Sequence, residues 1–437
     1  LFSVNGRVDG SSRFGGNNKY GFFPSGSVAW RISEEGFMEP VKAVINNLKL
    51  RTSYGFTGNT EIGVYESLAT LESNSWTIGN QLVSGFYPNR IPNPDLKWEK
   101  TGQFDIGFDL GLFNNRLRLT ADYYYKKTTD LLYNVAIPSA SGYDSMLKNI
   151  GSVQNKGYEL SIESDNLSGA FSWTTAFNIS FNRNKVLELG GETYKDVGTY
   201  DDHLKTSDIR RLIVGQPIGV FYGYRFDGIF QNEAECAQQT SSPSPIGVGL
   251  RRYKDLNGDG KIDATNDREI LGDANPKFFG GMTNTFAYRG FELNVFLQYS
   301  YGNKIFNYNA MELESPTGGQ NVYQDLVNRW TPTNPSNEYQ KATTNRNNIV
   351  SDRFIEDGSF LKLKTVSLSY SFPKLNWKHI GGLRLYVTGQ NLLTWTKYRG
   401  YDPEVSYRGA STLEAGEDFG GYPQARTFMF GIKLDIK

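Results

Sequence analysis

Thr427-Phe-Met-Phe-Gly-Ile-Lys-Leu-Asp-Ile-Lys437 is the stretch that decides the fold. Phe428, Phe430, Ile432, Leu434 and Ile436 alternate with Met429, Gly431, Lys433, Asp435 and Lys437. A period of two places one set on each face of a β-strand, one apolar and one polar. The pattern recurs in segments of about ten residues between turn-rich stretches, as in a transmembrane β-barrel whose strands run apolar-out and polar-in. The expectation is an all-β chain, an antiparallel transmembrane β-barrel, placed in the cell outer membrane.

Composition agrees with a barrel and removes several other classes. No shift divides the 437 residues into domains, and Lys+Arg and Asp+Glu both number 46, so no basic surface points to nucleic acid. Hydrophobic residues make up 38%, and no apolar run approaches the ~20 residues of a membrane helix. A barrel needs no such run, because every second strand residue meets lipid. Aromatics reach 14%, with 27 Tyr and 28 Phe, which suits interfacial girdles and equally an aromatic-rich soluble sandwich. The lone Cys236 excludes an intramolecular disulfide framework and Cys-based zinc sites, and His203 and His379 are too few for a histidine cluster. The chain begins Leu-Phe-Ser without an initiator Met or signal peptide, so it is expected to be a mature chain or part of one.

Alternation is longest in Phe104–Leu112, Leu117–Tyr125, Phe171–Phe181 and Phe291–Tyr301, with further runs at Val366–Phe372 and Leu383–Val387. Phe113-Asn-Asn-Arg116 joins the first two as a hairpin turn. Shorter patterns mark Leu1–Val8, Gly21–Ile32, Leu48–Phe56, Gly157–Ser164 and Phe278–Tyr288. With the terminal strand these make about twelve. Short links near 33–46, 113–116, 165–170, 288–291 and 373–382 then alternate with long ones near 10–20, 57–96, 135–151, 186–277, 304–359 and 397–426. The alternation of short periplasmic turns and long extracellular loops requires Leu212–Phe230 to lie in an excursion, outside the wall.

Read in order, the chain resembles the C-terminal part of SusC/RagA-type TonB-dependent outer-membrane transporters of Bacteroidota. The resemblance rests on RVDGSSRF (7–14), FPSGSVAWRISEE (23–35), NPDLKWE (93–99) and NIGSVQNKGYEL (149–160). It continues through GVFYGYRFDGIF (219–230), YKDLNGDGKID (253–263), RFIEDGSFLKLK (353–364) and TGQNLLTWTKYRGYDPE (388–404). It implies that residues 1–437 supply about 12 C-terminal strands of a 22-stranded plugged barrel, with the N-terminal plug and first strands absent from this chain. It further implies TonB-dependent import of a nutrient, glycan or oligopeptide, with a SusD-like lipoprotein lid, the TonB complex, surrounding outer-membrane lipid and a dimer of transporter–lid pairs. The strands alone leave a passive porin open, and a calcium-stabilised β-rich surface adhesin as a third class.

The sharpest local constellation is Asp255-Leu-Asn257-Gly-Asp259-Gly260-Lys261-Ile-Asp263. Oxygen donors at alternate positions, Gly at the sixth and a carbonyl at the seventh match a calcium loop. Position twelve is Asn266, where a bidentate Glu is expected, with Asp267 or Glu269 as substitutes. Structural Ca2+ and a polar Asn-Gly/Asp-Gly turn are both open readings. Trp76, Tyr87, Trp98, Trp330, Trp395, Tyr398 and Tyr401 lie in or beside long links and could contact ligand or serve as girdle and packing residues. Arg353, Glu356 and Asp357 are likewise open between a ligand contact and a salt-bridged loop edge. No carboxylate pair, nucleophile elbow or phosphate cradle stands out, so no catalytic residue is assigned and the chain is not read as an enzyme.

Overall fold

The computed structural model describes residues 1–136, 143, 145–198, 206, 209–315, 321–344, 348–372, 380–409 and 411–436. His203, His379 and most of the expected short link at 373–382 lie outside the described residues. Twelve long strands form the wall. The first six are β1 (Phe2–Gly10), β2 (Tyr20–Arg31), β3 (Ile45–Asn59), β4 (Glu99–Leu112), β5 (Leu117–Thr129) and β6 (Ser152–Leu167). They are followed by β7 (Phe171–Glu188), β8 (Phe278–Tyr288), β9 (Phe291–Tyr301), β10 (Phe360–Phe372), β11 (Ile380–Thr396) and β12 (Thr427–Ile436).

These strands hydrogen-bond in chain order from β1 to β12, and the registers from β1 to β5 and from β7 to β12 are antiparallel. The expected twelve strands are all present, and several run longer than their alternation showed. Ile45–Asn59 exceeds Leu48–Phe56 because backbone pairing continues through polar residues that carry no facing signal. The excursion assignment of Leu212–Phe230 holds. Arg210–Ile213, Val220–Tyr224 and Phe226–Ile229 pair in small separate sheets outside the twelve-stranded one. The link at 57–96 holds a hairpin that alternation does not reveal, Thr70–Ile78 with Gln81–Arg90.

The chain divides into two compact units, Leu1–Ile162 with Asn182–Thr193, and Glu163–Phe181 with Tyr194–Lys437. In the first, the polar face is stitched by charge. Arg51 of β3 reaches Asp109 of β4 at 3.3 Å and Asp122 of β5 at 2.8 Å. It passes over Gly107, where a Cβ would stand 2.9 Å from the Ala121 carbonyl and 2.0 Å from the Asp122 carboxylate, so a side chain there would displace the carboxylate that Arg51 holds. On the opposite face Phe104, Ile106 and Phe108 are exposed. The β4–β5 turn is tight because Phe113, Asn114 and Asn115 all take positive φ, a conformation that asparagine tolerates better than most residues.

In the second unit, register converts alternation into rows. Trp173, Phe286, Leu293, Leu368, Val387 and Phe430 pair successively across the sheet as one apolar row. The adjacent row is Thr174, Thr285, Asn294, Ser367, Thr388 and Met429. Phe171, Tyr288, Phe291 and Tyr370 make an aromatic row at the short-turn end. Phe278 stacks on Tyr301 at the other end, with centroids 5.0 Å apart. Phe291 and Tyr301 open and close the 11-residue β9. At ~3.4 Å per residue and a tilt of ~35–45°, the two aromatic levels are separated by about 25 Å, the height of a barrel's apolar band. The facing generates a prediction. Leu293→Arg should destabilise the barrel by about 2–4 kcal/mol at the bilayer midplane, whereas Asn294→Arg should be tolerated. Urea unfolding from lipid vesicles measures both, and equal tolerance would overturn the facing.

Candidate functional site

The long connections of the second unit fold into a body of their own. One four-stranded sheet joins Tyr194–Val197, Arg210–Ile213, Val220–Tyr224 and Arg268–Gly272. A three-stranded sheet places Lys304–Asn307 between Ile355–Asp357 and Glu417–Asp418. Between them lies an apolar core of Ile209, Phe221, Phe306, Tyr308, Ala310, Met311, Val350 and Phe354. Residues far apart in sequence therefore share one interior, and their charged neighbours are buried with them.

Buried charge costs several kcal/mol per ion unless it is paired and hydrogen-bonded. Here the pairs converge on the last excursion, 397–426. Arg210 and Glu417, 1% and 2% exposed, meet at 2.9 Å, and Arg210 also donates to the carbonyls of Gly219 and Ala415. Burial pushes the Glu417 carboxyl up and the Arg210 guanidinium down, and the contact between them opposes both shifts. Glu314, 1% exposed, bridges Arg353 at 2.7 Å and Arg399 at 3.1 Å. Arg399 also holds Glu356 at 2.8 Å. Tyr398 donates its hydroxyl to Asp418 at 2.5 Å, and burial followed by that bond drives its pKa far upward.

The same excursion is fastened to the polar face of the wall. Lys362 of β10, 2% exposed, reaches Asp402 at 2.7 Å and Glu404 at 2.5 Å. Lys364 reaches Glu404 at 3.1 Å and Gln424 Oε1 at 2.8 Å. Gln298 of β9 donates to Glu404 at 2.9 Å. Burial works against the Asp402 and Glu404 carboxylates, but its opponents together outweigh it and hold both below their ordinary pKa: Lys362 and the amides of Glu404 and Gln424 at Asp402, and Lys362 with Lys364 at Glu404.

The residues singled out from sequence fall into different settings. Tyr401 is 79% exposed and Trp76, on its hairpin, 56% exposed. Tyr87 shares that hairpin. Tyr398 departs from the ligand-facing expectation, for its ring lies buried over Gly400, where a Cβ would stand 2.3 Å from it. Trp330 is half-buried, donating to Gln231 at 3.1 Å and covering Gly249, whose φ is +83°. Trp98 packs on Phe14 and Phe23. Trp395 sits on β11, level with Leu361 on the apolar face of the wall. Arg353 and Glu356 are salt-bridged within the loops, and Asp357 accepts from Ser359, which favours the loop-edge reading. Tyr422, 91% exposed, carried no sequence signal beyond its Gly-Gly-Tyr-Pro turn.

The carboxylates of the Asp255 loop cap its own backbone. Asp255 accepts from the amides of Gly258 and Gly260 at 2.6 and 2.7 Å. Asn257 accepts from Asp259, and Asp259 from Lys261. Asp263 accepts from Thr265 and Asn266, and the buried Asp267 from Leu256 and Asp263. Gly258 and Gly260 take the positive φ that this winding needs. Among the described residues no three Asp, Glu, His or Cys side chains converge as a metal site. The geometry matches a chain of Asx turns.

A buried pair broken on one side should be costlier than one removed whole. Glu417→Leu, which strands Arg210, is expected to destabilise the loop body by about 3–5 kcal/mol, and Arg210→Met with Glu417→Leu by less. Thermal unfolding of the loop body, followed by protease protection, reads the difference. Strict additivity would show that the pair does not act as a unit.

The family profile described as "TonB dependent receptor-like, beta-barrel" matches residues 1–228. The TonB-dependent receptor P3 of Formosa agariphila is 41% identical over 443 residues, covering 99% of this chain and 44% of that protein. The TonB-dependent receptor SusC of Bacteroides thetaiotaomicron is 30% identical, covering 100% of this chain and 42% of that protein. The solved structure of the RagAB peptide transporter superposes with a TM-score of 0.83 at 28% identity, covering 99% of this chain and 45% of the matched one. The chain thus spans under half the length of these relatives. With its apolar and polar strand faces and its long structured loops, it belongs to the TonB-dependent receptor β-barrel family, in the SusC/RagA-like branch, and is an outer-membrane protein.

Proposed function

We propose that this chain is the C-terminal barrel portion of a receptor that imports a nutrient across the outer membrane. In this reading the barrel wall and its loops receive a glycan or an oligopeptide beneath a SusD-like surface lipoprotein. TonB, acting through a plug contributed by the rest of the protein, drives release to the periplasm. The observation that carries the reading is the fastening of excursion 397–426 to the polar face of β9 and β10. A passive pore needs only a polar lining, whereas a receptor needs loops held in one geometry before ligand arrives. The name of one matched structure, a peptide transporter, favours a polymer fragment over an ion as cargo. The family is one of transporters, and no catalytic step is assigned to this chain.

Native mass spectrometry of the complex, extracted from its own outer membrane, tests the proposal. The expected result is a subunit of about twice 49.2 kDa with a lipoprotein bound, as one such pair or a dimer of pairs. A closed 49.2 kDa subunit without lipoprotein, conducting ohmically without TonB, would make the protein a porin.

Structural calcium rests on the spacing of Asp255, Asn257, Asp259, Lys261, Asp263 and Asp267. Replacing Asp255 and Asp259 by Ala should raise protease cleavage within 231–277 while the barrel still assembles. If EGTA leaves the parent's protection unchanged, the loop is self-capped. If EGTA removes that protection, the loop holds the cation, and the adhesin reading gains ground only if EGTA also unfolds the wall.

A further inference from the structure

We propose that Lys362 is a positioning residue, a buried cation of the wall that holds Tyr401 and Tyr422 out together as a ligand-contacting pair. The pairing rests on the import reading, but the positioning does not. Tyr401 and Tyr422 are 79% and 91% exposed, far more than a loop aromatic needs for packing. Both flank points where the excursion is gripped. Tyr401 precedes Asp402, which Lys362 holds at 2.7 Å, and Tyr422 lies two residues before Gln424, which Lys364 holds at 2.8 Å.

The two gripped segments also touch each other. The Gln424 amide donates to Asp402 Oδ2 at 3.2 Å, and a Cβ on Gly421 would stand 3.1 Å from Val405. The loop is thus a double segment whose base is pinned by charge and which leaves two phenol rings exposed. Each carboxylate of the excursion is already engaged: Asp402 and Glu404 by lysine, Glu414 and Glu417 by Arg408, Asp418 by Tyr398. What the segment offers a ligand is therefore aromatic face and hydroxyl with little uncompensated negative charge, a surface suited to stacking and hydrogen bonding.

Lys362 is the grip whose loss matters most. It is 2% exposed and contacts two carboxylates, so its removal leaves Asp402 without a cation and Glu404 with Lys364 and Gln298, which loosens both holds and favours escape of the Asp402 end to water. Arginine keeps the charge and can bridge two carboxylates, whereas methionine keeps the length and loses the charge.

The test uses the full-length receptor carrying Cys236→Ser, in a background without other reactive cysteines, with spin labels on Tyr401→Cys and Tyr422→Cys. Double electron–electron resonance should give a narrow distance distribution in the parent. Lys362→Met should broaden it about twofold or more, and Lys362→Arg should restore it. A distribution unchanged in Lys362→Met would overturn the positioning role, as would failure of Lys362→Arg to restore it. If Lys362→Met does not assemble, Gln424→Leu removes the second grip without stranding a charge, and an unchanged Tyr422 label there overturns the proposal equally. The contact role is read separately, as TonB-dependent growth of the host on a mixed polysaccharide digest or a tryptic casein digest. Tyr401→Ala with Tyr422→Ala should lower that growth-supporting uptake by about tenfold. Unaltered uptake overturns the contact role. Absence of TonB-dependent uptake in the parent removes the import reading and with it the ligand-contact role, while the resonance result still decides the positioning.

Discussion

A charge taken out of water must find a partner, and in the loop body of this protein one segment supplies several of them. Excursion 397–426 meets Arg210 through Glu417, Glu314 and Glu356 through Arg399, and Lys362 through Asp402 and Glu404. Without that segment Arg210 and Lys362, each 1–2% exposed in the folded chain, lose the carboxylates that pair them. The constraint is stronger than its net energy suggests. A buried pair contributes little over an apolar substitute, but half of one is heavily destabilising. The loop body is therefore held to the arrangement in which Arg210, Glu314, Lys362 and their partners are matched.

The wall obeys a different economy. Its strands satisfy their own backbone groups across the sheet, which is the condition for crossing lipid. Side chains then need only sort by face. Arg51 crossing Gly107 to reach Asp122 shows how the polar face is cross-linked within the sheet. The row from Trp173 to Phe430 shows the apolar face continuing from strand to strand. A rigid wall of this kind can carry large connections, because no turn of the sheet depends on what the connection contains.

The two systems meet where Gln298, Lys362 and Lys364, on the polar face of β9 and β10, receive the last excursion. These are wall residues by register and loop residues by contact. Their dual membership gives the receptor reading its physical content. The wall acts as the template on which a loop is set, and the exposed Tyr401 and Tyr422 lie beside the points of attachment.

Period-two alternation is a local property, and it was enough to reveal the all-β class, the twelve wall strands and the excursion at Leu212–Phe230. Ordered local segments such as YKDLNGDGKID and TGQNLLTWTKYRGYDPE were likewise enough for the family. The site was far less legible. Tyr398 and Tyr401 look alike in sequence, yet one is buried over Gly400 and the other is exposed, because folding of the chain around Asp418 chose between them. The acidic spacing after Asp255 fits a cation and a chain of backbone caps equally well until the amides are placed. Lys362 lies in the family segment RFIEDGSFLKLK, ahead of the alternating run Val366–Phe372, and nothing local marks its burial, since its partner Asp402 lies 40 residues onward and no periodicity links them. Facing and strand number follow from neighbours along the chain, and so the sequence alone determined them. Which charges are buried, and which tyrosines are left in water, depends on contacts between distant segments, and only the tertiary structure decided that.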